Sequence, residues 1–232
     1  MSLILEPTEE NAGYHNSIYR GLFLGSEVND EQYSAIKNGT FNDMYIGDYW
    51  IINDITWVIA HFDYWYNTGD TNCIKHHVVL MPEQILYKAK MNDNNIVTGG
   101  YISSKMYATN LNQAKQIFNN AFESSHILVH RNLLTNAASN QATGWAWHDS
   151  TIELMNENMI AGSPIFGTVG YETGIDRSKL ALFNFKNISD ETFWLRSIGS
   201  STGFSSLSKK GDIILSTAST ELGVKPIGGI CS

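Results

Sequence analysis

Charge is scarce in this chain: of 232 residues only 16% are Asp, Glu, Lys or Arg, and the formal net charge is −8. Its 15 Lys and Arg residues form no cluster, so the basic footprint that neutralises phosphates is missing and nucleic acid is excluded as a partner. Cysteine is scarcer still. Cys73 and Cys231 lie far apart, which excludes a disulfide-dense scaffold and a four-ligand zinc knuckle while leaving one bridge between them open. The opening MSLILEPTEEN has a short apolar run but no basic leader, so neither a signal peptide nor membrane insertion is expected. Catalytic signatures are missing too. There is no Gly-Xaa-Ser-Xaa-Gly elbow, P-loop or Rossmann fingerprint, and the carboxylates are too scattered to nominate a glycosidase pair. No repeat or heptad occurs, which excludes solenoids and long fibrous stalks.

What the chain does have is apolar and aromatic mass, with 43% hydrophobic residues including 6 Trp, 11 Tyr and 10 Phe. Its polarity comes from uncharged Asn, Ser, Thr and Gly, which suits a folded, loop-rich protein rather than a disordered one. Residues 1–25, with Pro7, Gly13, Gly21 and Gly25 and no clear period, read as an extended arm. A helix follows with Asn29 as N-cap, Gln32 completing a capping box, Val28 and Tyr33 as a staple, and Gly39 as stop. Met44 to Tyr66 is dense in β-branched and aromatic residues and broken only at Asn53-Asp54, the pattern of a β-hairpin. A further strand is expected at 76–82. Between 104 and 122, Leu111, Ala114, Phe118 and Ala121 recur every three or four residues and predict an amphipathic helix. The stretch 132–150, rich in Asn, Ala, Ser and Gly, reads as a surface loop, and TIELM after it as a strand or a helical turn. From Leu180 onward the runs LALFNF, TFWLRS, FSSLS, DIILS and GVKPI predict an antiparallel meander.

Candidate chemistry is sparse. His76 and His77, beside Cys73, would point to opposite faces of a strand and so cannot share a metal. His126 and His130 are four apart, but the glutamate of a zinc-protease helix is missing between them, and a structural role is the simpler reading. The cluster Trp145-Ala146-Trp147-His148-Asp149 stands out. Two indoles of the same strand parity, followed by hydrogen-bonding groups, could form a platform for a sugar ring or an apolar partner, or could fold back as a lid over the core.

The C-terminal pair Trp194-Leu195-Arg196-Ser197 and Gly223-Val224-Lys225-Pro226, with Lys210-Gly211 between them, resembles the closing signature of a widespread bacterial and phage domain, domain of unknown function 6273. That domain is similar to C-type-lectin-like and formylglycine-generating-enzyme folds, and its usual ending reads Gly-Val-Arg-Pro where this chain has Lys225. The ordered succession Tyr19-Arg20-Gly21, Ile46-Gly47-Asp48-Tyr49-Trp50, Phe62-Asp63-Tyr64, Thr68-Gly69-Asp70-Thr71 and Leu154-Met155-Asn156-Glu157 resembles prophage structural and tail proteins of gut Firmicutes.

The resemblance implies an α+β, C-type-lectin-like domain over 41–232, with a small twisted antiparallel sheet, flanking helices and long loops, preceded by an arm and short helix over 1–40. Trp194 and Leu195 would fill the core and Arg196 would brace loops, while the segment between the two signatures would present Thr202, Phe204, Ser206, Lys209 and Lys210 outward. With Trp145, Trp147 and His148 these form the expected ligand face. The lectin calcium motif and the paired C-terminal cysteines of the oxidase are absent, so no metal or cofactor is expected. The expected function is noncatalytic recognition of a host cell-surface polysaccharide or protein by a tail module of the virion, made in the bacterial cytoplasm and homo-oligomeric, a trimer among the options. The alternatives are a purely structural subunit that binds other phage tail subunits, and a cell-wall glycan hydrolase using His148, Asp149 and a distant carboxylate.

Overall fold

The computed structural model describes residues 11–138, 141–167, 178–186 and 191–232; at 135, 137, 138 and 141–143 only the backbone is described. The chain is mixed α+β, with most of its order in sheets. The hairpin expected over 44–66 is present as β2 (Tyr49–Ile52) and β3 (Ile55–Phe62). Asn53 and Asp54 turn it at φ of 53° and 60°, the positive values a tight two-residue hairpin turn requires and that Asn and Asp tolerate. β4 (Val78–Pro82) pairs antiparallel with β3. On its far side lie β13 (Ile227–Ile230) and then β8 (Ile152–Glu153), while β1 (Phe23–Gly25) joins β2 in parallel, giving a six-stranded sheet in the order β1-β2-β3-β4-β13-β8.

A second sheet holds β11 (Ile213–Thr217), β10 (Gly203–Leu207), β9 (Phe193–Ile198), β12 (Glu221–Val224) and β5 (Tyr87–Lys90), in that order. The chain passes between the two sheets twice at one corner, from β4 to β5 and from β12 to β13. Leu86 N–H donates to Val224 O at 2.9 Å there, tying the two crossings together. Lys225 sits in that corner, fully buried. Its Nζ donates to Glu83 O and lies 5.4 Å from the centre of the Phe193 ring, so a carbonyl and an aromatic face take the place of water around the ammonium.

The long helix is α3 (Leu111–Phe122), entered through a π-type turn at Met106–Asn110. Leu111, Ala114 and Phe118 are buried as the periodicity requires, and Phe122 rather than Ala121 completes the stripe. Phe118 and Phe122 meet the Trp57 ring edge-on, at centroid distances of 4.5 and 5.1 Å. A Cβ on Gly228 would lie 2.2 Å from Ile152 Cδ1 and 3.0 Å from Phe118, so only glycine lets α3 approach β13 this closely. The capped helix is α2 (Asp30–Asn38), with the Asn29–Gln32 capping box formed and Gly39 left-handed at φ 69°. Its Ala35 and Ile36 belong to the same core as both sheets. Trp194 and Leu195 are fully buried in that core.

Four expectations change. The described part of the arm is not extended: it forms α1 (Ala12–Asn16) and β1, and the buried His15 bonds Met44 O through Nδ1 at 2.6 Å. LALFNF is a 3-10 turn (Ala181–Asn184) rather than a strand, because a short apolar run carries no period and Ala181 N–H finds its acceptor in His61 Nδ1, 2.9 Å away. The C-terminal meander is antiparallel through β9, β10 and β11, but β12 lies beside β9 in parallel and pairs antiparallel with the distant β5. The expected surface loop at 132–150 is instead a two-stranded ribbon, β6 (His130–Ala138) with β7 (Gln141–Ser150).

Candidate functional site

The ribbon is a sheet of its own, and its pairing runs from His130↔Ser150 to Asn136↔Gly144 before a bulge. Strand alternation splits it into two faces. His130, Asn132, Leu134 and Ser150 are buried on the inner face, where His130 stacks on Trp65 at 3.9 Å. Arg131, Leu133, Trp145, Trp147 and Asp149 share the outer face. Trp145 is 38% exposed and Trp147 half-buried, and neither packs against the core. Neither indole is folded back over the core.

Arg131 clasps this face to the body. Its Nε and Nη2 donate to Asp70 Oδ1 and Oδ2 at 2.7 and 3.1 Å, and its Nη1 to Asp149 Oδ1 at 2.8 Å. These hydrogen bonds, first to Asp70 and then to Asp149, push the guanidinium pKa up and lower that of Asp70. The Asp70 loop reaches the ribbon because Gly69, at φ 104°, leaves no Cβ to strike Arg131 Cβ, which it would meet at 2.8 Å. Beside the clasp lies a cavity of about 320 Å³ lined by Thr71, Asn72, Cys73, Val129, His130, Arg131 and Asp149, at the small end of the ligand-pocket range.

The structure separates the other expected site residues from this face. His148 follows Trp147 on β7 and therefore points to the inner side, opposite Asn132. The same alternation puts His148 and Asp149 on opposite faces, so they cannot act together on one substrate atom. Phe204 and Ser206, expected outward, are both fully buried in β10. Serine is tolerated inside that strand because Ser206 Oγ bonds Ser216 Oγ at 2.8 Å and Ser205 Oγ bonds the buried Glu157. Thr202, Lys209 and Lys210 are exposed, at the end of β10 and in the turn to β11, on a different sheet from the ribbon.

The histidines expected to be structural are engaged in packing. His76 Nδ1 meets Asp63 Oδ2 at 2.6 Å, and His77 Nε2 accepts from Trp65 N–H at 3.1 Å. His126 Nδ1 meets Cys231 O at 2.9 Å. Among the described residues no three His, Cys, Asp or Glu side chains gather as a metal site, and Cys73 and Cys231 are buried free thiols.

Sequence reasoning missed Arg131, Asp70, Asn72 and Thr71. Asp149 stood in the expected cluster, and it shares strand parity with Trp145 and Trp147. Comparison with models of protein families, with curated proteins and with solved structures returned no match. Among the described residues no helix is long and apolar enough to cross a membrane.

Proposed function

We propose that this chain is a noncatalytic recognition module of a phage or prophage tail, with a C-type-lectin-like domain that binds a bacterial surface through the outer face of β6–β7. The observation that carries this reading is the pair of indoles turned away from the core on the same face as the clasped Arg131 and its adjoining cavity. Rigid aromatic rings beside small polar groups are the vocabulary of contact surfaces that bind without chemistry. The C-terminal signature supports the fold, since Trp194 and Leu195 take core positions and Lys225 closes the corner between the sheets. Arg196 is buried too, and its charge partly offsets the burial of Glu153. The test is attachment of the purified chain to cell envelopes from a panel of gut Firmicutes. Wild-type chain should bind some envelopes and the Trp145→Ala/Trp147→Ala double variant should not. Equal attachment of both would remove the ribbon from the account.

A second reading, a structural tail subunit, is favoured by β11. It is the edge strand of its sheet among the described residues and exposes Ile214 and Leu215, with Ile165 and Phe166 also exposed. On that reading Leu215→Glu lowers the oligomeric state measured by sedimentation and leaves envelope attachment per folded chain unchanged.

A further inference from the structure

Resting on the recognition reading above, we infer that the ligand of the β6–β7 face is a neutral glycan, one ring held in the Thr71–Asp149 cavity and the next ones laid along Trp147 and Trp145. Charge disfavours an acidic ligand. Asp70 and Asp149 face a single cation, Arg131, so the site carries one negative charge in excess, within a chain of net charge −8. A phosphate polymer or an acidic saccharide would meet repulsion at both scales.

The one guanidinium is already engaged. Arg131 gives the side-on fork of Nε and Nη2 to Asp70 and an Nη1 N–H to Asp149, so three of its five N–H groups are spent and two carboxylates more than balance its charge. Lys75, two residues from Cys73, directs its Nζ at Cys231 Sγ at 3.8 Å and does not line the cavity.

What remains open is neutral hydrogen-bonding capacity. Among the described residues the Asn72 amide and the Thr71 hydroxyl take no protein partner, and Asp149 uses one oxygen on Arg131 while its side chain stays 72% exposed. One amide, one hydroxyl and one free carboxylate oxygen offer both donors and acceptors, which is what sugar hydroxyls require. Asp149, Trp147 and Trp145 then follow at every second residue of β7, spaced by about 7 Å along the strand. Strand parity puts both indole side chains on the face that leads away from the cavity, where they can meet the C–H faces of successive sugars.

The experiment measures binding of the whole chain to an array of defined neutral bacterial oligosaccharides and, in parallel, to polyglycerol-phosphate teichoic acid. The expected result is binding to a neutral member, with affinity unchanged between roughly 0.05 M and 0.5 M salt. Asn72→Ala and Asp149→Ala should each weaken it by about tenfold, as loss of a polar partner in a binding site does. Both side chains are exposed, so thermal unfolding should stay at the wild-type temperature and separate lost contact from lost fold. Binding confined to the teichoic acid and falling with salt would overturn the inference. So would the absence of any neutral ligand, or neutral binding indifferent to both substitutions. Envelope attachment separates this failure from that of the recognition reading. If Trp147→Ala abolishes attachment while no neutral glycan binds, only the ligand class is wrong; if attachment is untouched, the recognition face itself is wrong.

Discussion

His61 and His77 are held neutral by what they accept. His61 Nδ1 takes the Ala181 N–H at 2.9 Å, and His77 Nε2 takes the Trp65 N–H at 3.1 Å, so a proton on either nitrogen would remove a backbone partner. Burial, and then the nearby His77, depresses the His61 pKa to about 4, and burial lowers that of His77 as well. The unfolded chain protonates these rings near pH 6.5, whereas folded His61 resists down to about 4. The unfolded state therefore binds more protons in that window, and stability falls as pH drops from about 6.5 towards 4. Above that window the two groups contribute no slope. His61→Asn keeps an acceptor near the Nδ1 position and removes the titration, so its melting temperature should fall less steeply with acid than wild type. Identical slopes in both proteins would assign the acid sensitivity elsewhere.

Residue roles were legible in the sequence only where they depend on local pattern. The shared parity of Trp145 and Trp147 is a property of two positions, and it survives in β7. The Arg131–Asp70 clasp joins residues 61 apart and has no local signature, and the partners that bury Ser205 and Ser206 are likewise distant or on the next strand.

At the scale of elements, end signals were the dependable ones. The capping box on α2 and the Asn53-Asp54 turn are each set by a few neighbouring side chains, and both formed where expected. Asn29→Ala should cost about 1 kcal/mol in denaturant unfolding, the usual loss on removing such a cap. An unchanged midpoint would mean that tertiary packing alone holds α2. Composition misled over 132–150, where Asn, Ala, Ser and Gly suggested a loop. The ribbon forms there because cross-strand pairing and the seating of His130 on Trp65 outweigh weak strand propensity. β10 misled in the other direction. The resemblance implied that Phe204 and Ser206 face outward, yet all of Gly203–Leu207 is buried. Phe204→Ala should therefore destabilise the fold by about 3–5 kcal/mol, as removal of a core phenylalanine does. A small loss of stability with lost attachment would return Phe204 to a binding surface.

Across the whole molecule, two sheets share a corner through which the chain passes twice, and the ribbon packs on that body through His130, Asn132, Leu134 and Ser150, with Trp145 and Trp147 on its other face. The α+β class followed from one periodic helix among many short strands. The sheet order did not, because β8, β12 and β13 find partners far away in sequence. On the recognition reading, ligand contact belongs to the ribbon and stability to β10. Envelope attachment per folded molecule and thermal unfolding, measured on Trp147→Ala and Phe204→Ala side by side, separate the two. Trp147→Ala should lose about 1–3 kcal/mol of attachment while melting as wild type does, and Phe204→Ala should melt far earlier while its folded fraction still attaches. Early melting of Trp147→Ala with attachment per folded molecule intact would contradict that reading.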